Sequence, residues 1–278
     1  MSEHKKNILL TLPDLVEGEV EKRPSKTCNS PYVADILYEG KEYIGHTPAL
    51  GCCGLCDKEA TVMMSPLLTK NSKCDYTIYL SKVVDRGLTY YVGIHPKLAE
   101  RLVEQALTHN FISLLKDIKS YEREKTRMNS RFDFVGVDRE GIPFIMEVKN
   151  VPLADYVDCT ASEKKKLKLD DNDYKVTDKI AYFPDGYRKK IINTVSPRAL
   201  KHIQELTEIR TTSQTRCIMC YVIQRPDASS FQPSNVDPIY RDAFKEAVKS
   251  GVEVITLQVR WDGQGVAHFM TDQLKLNL

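Results

Sequence analysis

Residues 131–151 read RFDFVGVDREGIPFIMEVKNV. Two extended runs, Arg131–Val137 and Ile142–Val151, flank Asp138-Arg139-Glu140-Gly141, a turn-forming sequence, so the stretch predicts a β-hairpin. Side chains alternate across a strand, which puts Glu147 and Lys149 on one face and Phe144, Met146 and Val148 on the other. Closing the hairpin around its turn sets Asp133 opposite Glu147, to within one residue of register. The pattern therefore predicts two carboxylates and a lysine on one face of an otherwise apolar strand pair.

Such an arrangement is costly. Like charges opposed across a sheet repel, and the flanking Phe132, Phe134, Val135 and Val137 remove the water that would solvate them. A Glu-x-Lys on a strand also fits a solvated ion-pair face, but apolar neighbours on both sides argue against an exposed edge. A divalent cation is a natural compensation, because Mg²⁺ prefers hard oxygen ligands and is commonly held by one or two carboxylates with water and phosphate. The residues thus point to metal-assisted hydrolysis of a phosphodiester: Asp133 and Glu147 hold Mg²⁺ or Mn²⁺, and Lys149 assists water or steadies charge on the phosphate.

Upstream, residues 14 to about 92 break into short strands at Glu19–Arg23, Tyr32–Tyr38, Glu42–His46, Ala60–Met64, Tyr76–Val84 and Thr89–Val92, the pattern of a small β-barrel or sandwich. Pro96 then opens a helical period through Leu98, Leu102, Val103, Ala106 and Leu107, and a second helical segment is expected over 109–118. Downstream of the hairpin, residues 155–180 carry Lys164-Lys165-Lys166 and Asp170-Asp171-Asn172-Asp173 and read as a polar insertion without fixed structure. Ser196-Pro197 starts a helix, Cys217–Gln224 is a buried strand, 238–250 an amphipathic helix and Val252–Arg260 a further strand. Alternating strands and helices predict an α/β or α+β mixed-sheet domain over 93–278, behind an N-terminal tail (1–12) and a barrel domain (13–92).

The 278 residues are 42% hydrophobic and 28% charged, with a net charge of +2, values of an ordinary globular protein. No apolar run approaches the ~20 residues of a membrane span, so no membrane partner is expected. Nothing near residue 1 resembles a signal-peptide core, and a cytoplasmic or other reducing compartment is the expectation. A nearly balanced charge leaves nucleic-acid contacts to local patches: Lys164–Lys166, Arg188-Lys189-Lys190, Arg131 and the Arg198, Lys201, His202 set. Tyr76, Tyr79, Tyr90 and Tyr91 are candidates to stack on bases, with about half expected in the core. The eight cysteines do not suit a disulfide framework. Cys52, Cys53, Cys56 and Cys74 lack clean zinc spacing, and Cys217 and Cys220 should face opposite sides of one strand.

The motifs also carry a family resemblance. Ser130-Arg131-Phe132-Asp133-Phe134, Glu147-Val148-Lys149-Asn150-Val151, Phe183-Pro184-Asp185, Lys201-His202 and Gln224-Arg225-Pro226-Asp227, in that order, resemble the sugar fermentation stimulation protein A family. Leu15-Val16-Glu17-Gly18, Ser30–Asp35 and Arg101–Glu104 extend the likeness from about residue 13 onward. It implies an N-terminal OB-like β-barrel and a C-terminal PD-(D/E)XK nuclease-like domain that handles DNA. The acidic residue and the Glu-x-Lys of that class fall on Asp133, Glu147 and Lys149. Glu124 matches an upstream acid, a further metal ligand, one residue short of the expected spacing. The chain departs from the family at Ala199-Leu200, where Gly-Gln is expected, and at His46–Gly51, where the family has His-Cys-Pro-Asn-Thr-Gly. The alternative is a DNA-binding regulator of sugar metabolism that does not cut. The oligomeric state is open, with a homodimer one of the expected forms.

Overall fold

The computed structural model describes residues 7–28, 30–47, 49, 52–68, 72–167, 173–184 and 194–278. Strands β1 (Ile8–Thr11), β2 (Val16–Lys22), β3 (Val33–Tyr38), β4 (Lys41–His46), β5 (Thr61–Pro66), β6 (Tyr76–Asp85) and β7 (Leu88–Gly93) precede helix α1 (Pro96–Thr108). Next come β8 (Ser120–Arg127), β9 (Ser130–Val137), β10 (Pro143–Val151), β11 (Ala154–Asp155), α2 (Ala161–Leu167), β12 (Lys179–Phe183) and α3 (Pro197–Thr212). The remaining elements are β13 (Arg216–Ile223), β14 (Ala228–Pro233), α4 (Pro238–Lys249), β15 (Glu253–Trp261), β16 (Val266–Thr271) and β17 (Lys275–Leu276).

A 13-stranded mixed sheet runs β4-β3-β2-β5-β6-β7-β15-β13-β10-β9-β8, with β1 and β16 attached through β15. In its N-terminal part the parallel β4–β6 pairing returns the path on itself, so β2, β3, β4, β6 and β5 form a cycle of pairings around a core that includes Val20, Ile36, Val62, Met64 and Ile78. A second, 4-stranded sheet runs β11-β12-β14-β17. The chain therefore has a mixed α+β fold. The predicted hairpin is present as β9 and β10, and its turn is fixed by Asp138, whose Oδ1 accepts from the Glu140 and Ile142 amides at 3.0 and 2.8 Å, with Gly141 at φ +91°.

β10 lies centrally, antiparallel to β9 and parallel to β13, and each of its faces meets a different core. Phe144, Met146 and Val148 pack with Leu98, Leu102 and Val103 of α1, whose apolar stripe follows the helical period. Ile145 and Val151 pack instead with Ile203 and Leu206 of α3 and Phe244 of α4. Cys220 joins the first core and Cys217 the second, as strand alternation requires.

Several expectations are corrected. The tail at 1–12 contains β1, which pairs with β16 and buries Leu9. The helix expected over 109–118 is only a single turn, Ser113–Leu115, because the chain reverses at Asn110 (φ +56°). The insertion at 155–180 contains α2, and β12 begins at Lys179. Strands β8, β12 and β14 were not anticipated. Arg188-Lys189-Lys190, Asp185 and Asp170-Asp171-Asn172 lie outside the described residues.

The N-terminal strands continue into the rest of the sheet where β7 pairs with β15 at Tyr91↔Trp261, beside a chain of side-chain amides. Asn150 Nδ2 donates to Gly93 O at 3.0 Å, Gln224 Nε2 to Asn150 Oδ1 at 2.8 Å and Trp261 Nε1 to Gln224 Oε1 at 2.7 Å. A Cβ on Gly93 would sit 2.5 Å from Gln224 Oε1. Gly93→Ala is therefore expected to destabilise the protein by about 1–3 kcal/mol, the cost of overpacking a filled site. Urea unfolding measures this, and an unchanged midpoint would show that Gln224 moves aside freely.

Candidate active site

Glu147 is 3% exposed in the middle of β10. Its Oε1 takes two partners: Lys149 Nζ at 2.5 Å, on the same strand face, and Nδ1 of the buried His202 from α3. Its Oε2 is buried with no hydrogen-bond partner among the described residues. Burial opposes the charged form, but Lys149 and His202 outweigh it and hold the Glu147 carboxyl below its usual range.

Asp133 is not directly paired with Glu147. The β9–β10 ladder stops at Phe134↔Met146, and the Asp133 Oδ2 accepts the Val148 amide at 2.7 Å instead. Phe134 packs in the α1-side core and Phe132 in the α3-side core, so β9 turns over at Asp133. Burial, then the charge of Glu147, pushes the Asp133 carboxyl up to about 7, against the opposing Val148 amide and Lys149. Two carboxylates with opposite shifts thus share one site.

Asp133, Glu147 and Lys149 line a cavity of about 320 Å³, walled by Pro96 and Glu100 of α1 and by Arg198 of α3. A neighbouring cavity of about 390 Å³ also reaches Asp133 and contains Glu124, Arg131 and Arg198. Two helix N-termini flank these spaces: Pro96 opens α1, and Ser196 Oγ caps α3 by accepting from the Ala199 amide at 3.3 Å.

The structure thus brings Asp133, Glu147 and Lys149 together and puts Arg131 and Arg198 at the edge of the same space. His202, expected to contact phosphate, is instead buried against Glu147 and Phe132. Lys201 is half-exposed and donates to Asn129 O at 2.7 Å. Glu124 is exposed and lies 3.5 Å from Arg131, in the second cavity rather than beside Glu147. The acid on the helix side is Glu100, which sequence reading passed over. It lines both cavities, contributes to the upward shift of Asp133 and is held by Arg123 at 2.7 Å. Its only signal was an acidic residue in the first turns of the helix leading to the hairpin.

Among the described residues no group of three or more His, Cys, Asp or Glu is arranged as a ready metal cage. Cys52 and Cys56 are buried and Cys53 and Cys74 partly so. Tyr79 stacks on His95, and Tyr76 packs with Tyr38 and Tyr43.

Known proteins match this chain over the same residues. A family model described as the sugar fermentation stimulation protein (SfsA) RE domain matches residues 97–162 and 165–265, which include every residue of the cavity floor. The chain belongs to the SfsA family. A sugar fermentation stimulation protein homolog from Crocosphaera subtropica is 30% identical across 97% of this chain and 98% of its own length. The homolog from Synechococcus sp. strain JA-3-3Ab is 30% identical across 83% of this chain and 82% of its own. The structure of Pyrococcus furiosus SfsA in complex with Ca²⁺ superposes with a TM-score of 0.75, at 18% identity, over 98% of this chain and 99% of the other, so the SfsA fold is shared throughout. No helix among the described residues is long and apolar enough to cross a membrane.

The Asp133 shift has a consequence for stability. Its folded value of about 7 lies above the ordinary aspartate value of 3.8, so between the two the native state keeps a proton that the unfolded chain has lost. The metal-free protein therefore loses stability as pH rises from about 4 to about 7, and the penalty is constant above that. Asp133→Asn, which keeps an acceptor for the Val148 amide, should be more stable than wild type at pH 8, on the order of a few kcal/mol, and equal to it near pH 4. Chemical unfolding in chelator at both pH values tests the sign; a difference independent of pH would exclude it.

Proposed function

We propose that this SfsA-family protein is a divalent-metal-dependent nuclease acting on DNA, with an OB-like barrel formed by the β2, β3, β4, β6, β5 cycle and a PD-(D/E)XK-like domain built on β9 and β10. One observation carries the reading: Asp133, Glu147 and Lys149 line a single cavity in which a buried carboxylate oxygen, Glu147 Oε2, has no hydrogen-bond partner among the described residues. A buried acceptor of that kind costs about 1–3 kcal/mol or more if left unmet.

The donor set fits a hard cation. Asp133 and Glu147 offer carboxylate oxygens, and the upward shift of Asp133 comes first from burial and then from the charge of Glu147, both of which a nearby cation would offset. The complex of the Pyrococcus protein with Ca²⁺ supports a cation in this fold. Mg²⁺ or Mn²⁺ held by Asp133 and Glu147 would supply Lewis acidity toward a phosphoryl oxygen and lower the pKa of a bound water. The chain's own groups do the rest. Lys149 presents its ammonium at the cavity wall beside Glu147, where it can orient water or offset charge on a phosphate oxygen. His202 fixes the Glu147 side chain from the opposite side. Glu100, anchored by Arg123, adds negative potential next to Asp133 and so strengthens attraction for a cation. Arg131 and Arg198 hold the strand's phosphates at the edge.

The closest competing reading is a DNA-binding regulator, and the pairing of Glu147 with both Lys149 and His202 favours it, since those partners already stabilise the carboxylate. The two are separated by incubating single-stranded, duplex and branched DNA with wild type, Glu147→Ala and Lys149→Ala in Mg²⁺ or Mn²⁺. The nuclease reading expects metal-dependent cleavage that falls by about 100-fold or more in each variant, with DNA binding retained. Binding without cutting above the variants would hand the site to the regulator.

A further inference from the structure

The second cavity extends from Asp133 away from Glu147 and Lys149, and its far wall, at His46, His95 and Lys97, has no part in the chemistry above. Its lining comes from three parts of the chain: His46 at the end of β4, His95 and Lys97 at the start of α1, and Arg131 and Arg198 beside Asp133. Of its carboxylates, Glu100 is tied to Arg123 and Glu124 to Arg131. Lys97 and Arg198 have no ion pair to any described residue, and both are exposed. An unpaired cation at a cavity wall, held in the first turn of a helix, is placed for an anion.

The backbone adds to this. α1 and α3, of 13 and 16 residues, both begin here, and neither has an acidic residue in its first turn. Each start therefore presents an uncompensated positive helix end. His95, at the same cavity wall, has its ring pushed down to about 4, first by burial and then by the charges of His46, Lys97 and Arg101. Tyr79 stacks on the same ring at 5.4 Å and fixes it at the junction of the barrel and α1.

We infer that the cavity between His46, Lys97 and Arg198 is a phosphate subsite, which holds a backbone phosphodiester of a nucleic-acid strand next to the one presented to Asp133 and Glu147. The strand then runs from the barrel side, past the start of α1, into the carboxylate cavity, and Lys97 and Arg198 set its path. The assignment of the occupant rests on the nuclease reading; the anion site itself rests on the unpaired cations and helix ends.

The test measures binding without cleavage. A fluorescent thymidine 12-mer is titrated in chelator with wild type, Lys97→Ala, Arg198→Ala, the double variant and Lys249→Ala, a lysine on α4 outside the cavity, at several salt concentrations. Each cavity variant should weaken binding several-fold and reduce the slope of log K against log salt by about 1, the double variant by about 2, while Lys249→Ala leaves both unchanged. Both exposed side chains can be removed without opening the core, so a loss reports the subsite. Unchanged affinity and slope in the double variant would overturn the proposal, as would saturable binding of inorganic phosphate with no binding of the 12-mer. The cleavage reading stands apart: Glu147→Ala removes cutting but not the salt slope, whereas the double variant removes the slope.

Discussion

The structure turns on keeping one carboxylate ionised inside a sheet. Glu147 sits in a central strand, cut off from water, and an isolated ion there would cost several kcal/mol after relaxation. The surrounding elements answer that demand. β10 supplies Lys149 two residues on, α3 brings His202 down onto the same oxygen, and β9 departs from regular pairing so that Asp133 satisfies a backbone amide. Were the ladder to continue one step further, Asp133 and Glu147 would be direct cross-strand neighbours, both charged and both dry. The break in pairing replaces that contact with a hydrogen bond from the Val148 amide.

Because the two carboxylates are shifted in opposite directions, the site is asymmetric before any ligand arrives. Against the cost of burial, Lys149 and the hydrogen bond with His202 hold the Glu147 carboxyl below its usual range, whereas burial and the charge of Glu147 push Asp133 up to about 7. Burial and Glu147 account for most of the rise at Asp133, and Glu100, behind it on α1, adds to it.

Much of this was legible in the sequence because the chemistry interrupts a pattern. Asp133, Glu147 and Lys149 stand out as charges inside alternating apolar strands, and Pro96 and Pro197 mark helix starts by their position before apolar periods. What was not legible had no such contrast. β8 reads SYEREKTR, polar at nearly every position, because it is the sheet's outer strand and has no second neighbour to bury it. β1 has four residues and exists through its partner β16, more than 250 positions away. Glu100 lies on the polar side of an amphipathic helix, where a glutamate is unremarkable until the fold shows what faces it. His202 was read as basic surface because a helix sequence does not say which of its polar residues is turned inward. The family motif Gln224-Arg225-Pro226-Asp227 proves architectural: Gln224 joins the amide chain, and Arg225 and Asp227 form a buried pair with Lys179.

The amide chain through Gly93, Asn150, Gln224 and Trp261 ties β7, β10, β13 and β15 together beside the carboxylate cavity. Asn150 follows Lys149 by one position, and Gly93 precedes Pro96 by three, so the same few atoms tie the strand that carries the chemistry to the wall that borders it. A Cβ at Gly93 would press on Gln224, the middle link of that chain. One small residue at the end of β7 thus decides whether β10 and β15 can share a single hydrogen-bonded junction with it.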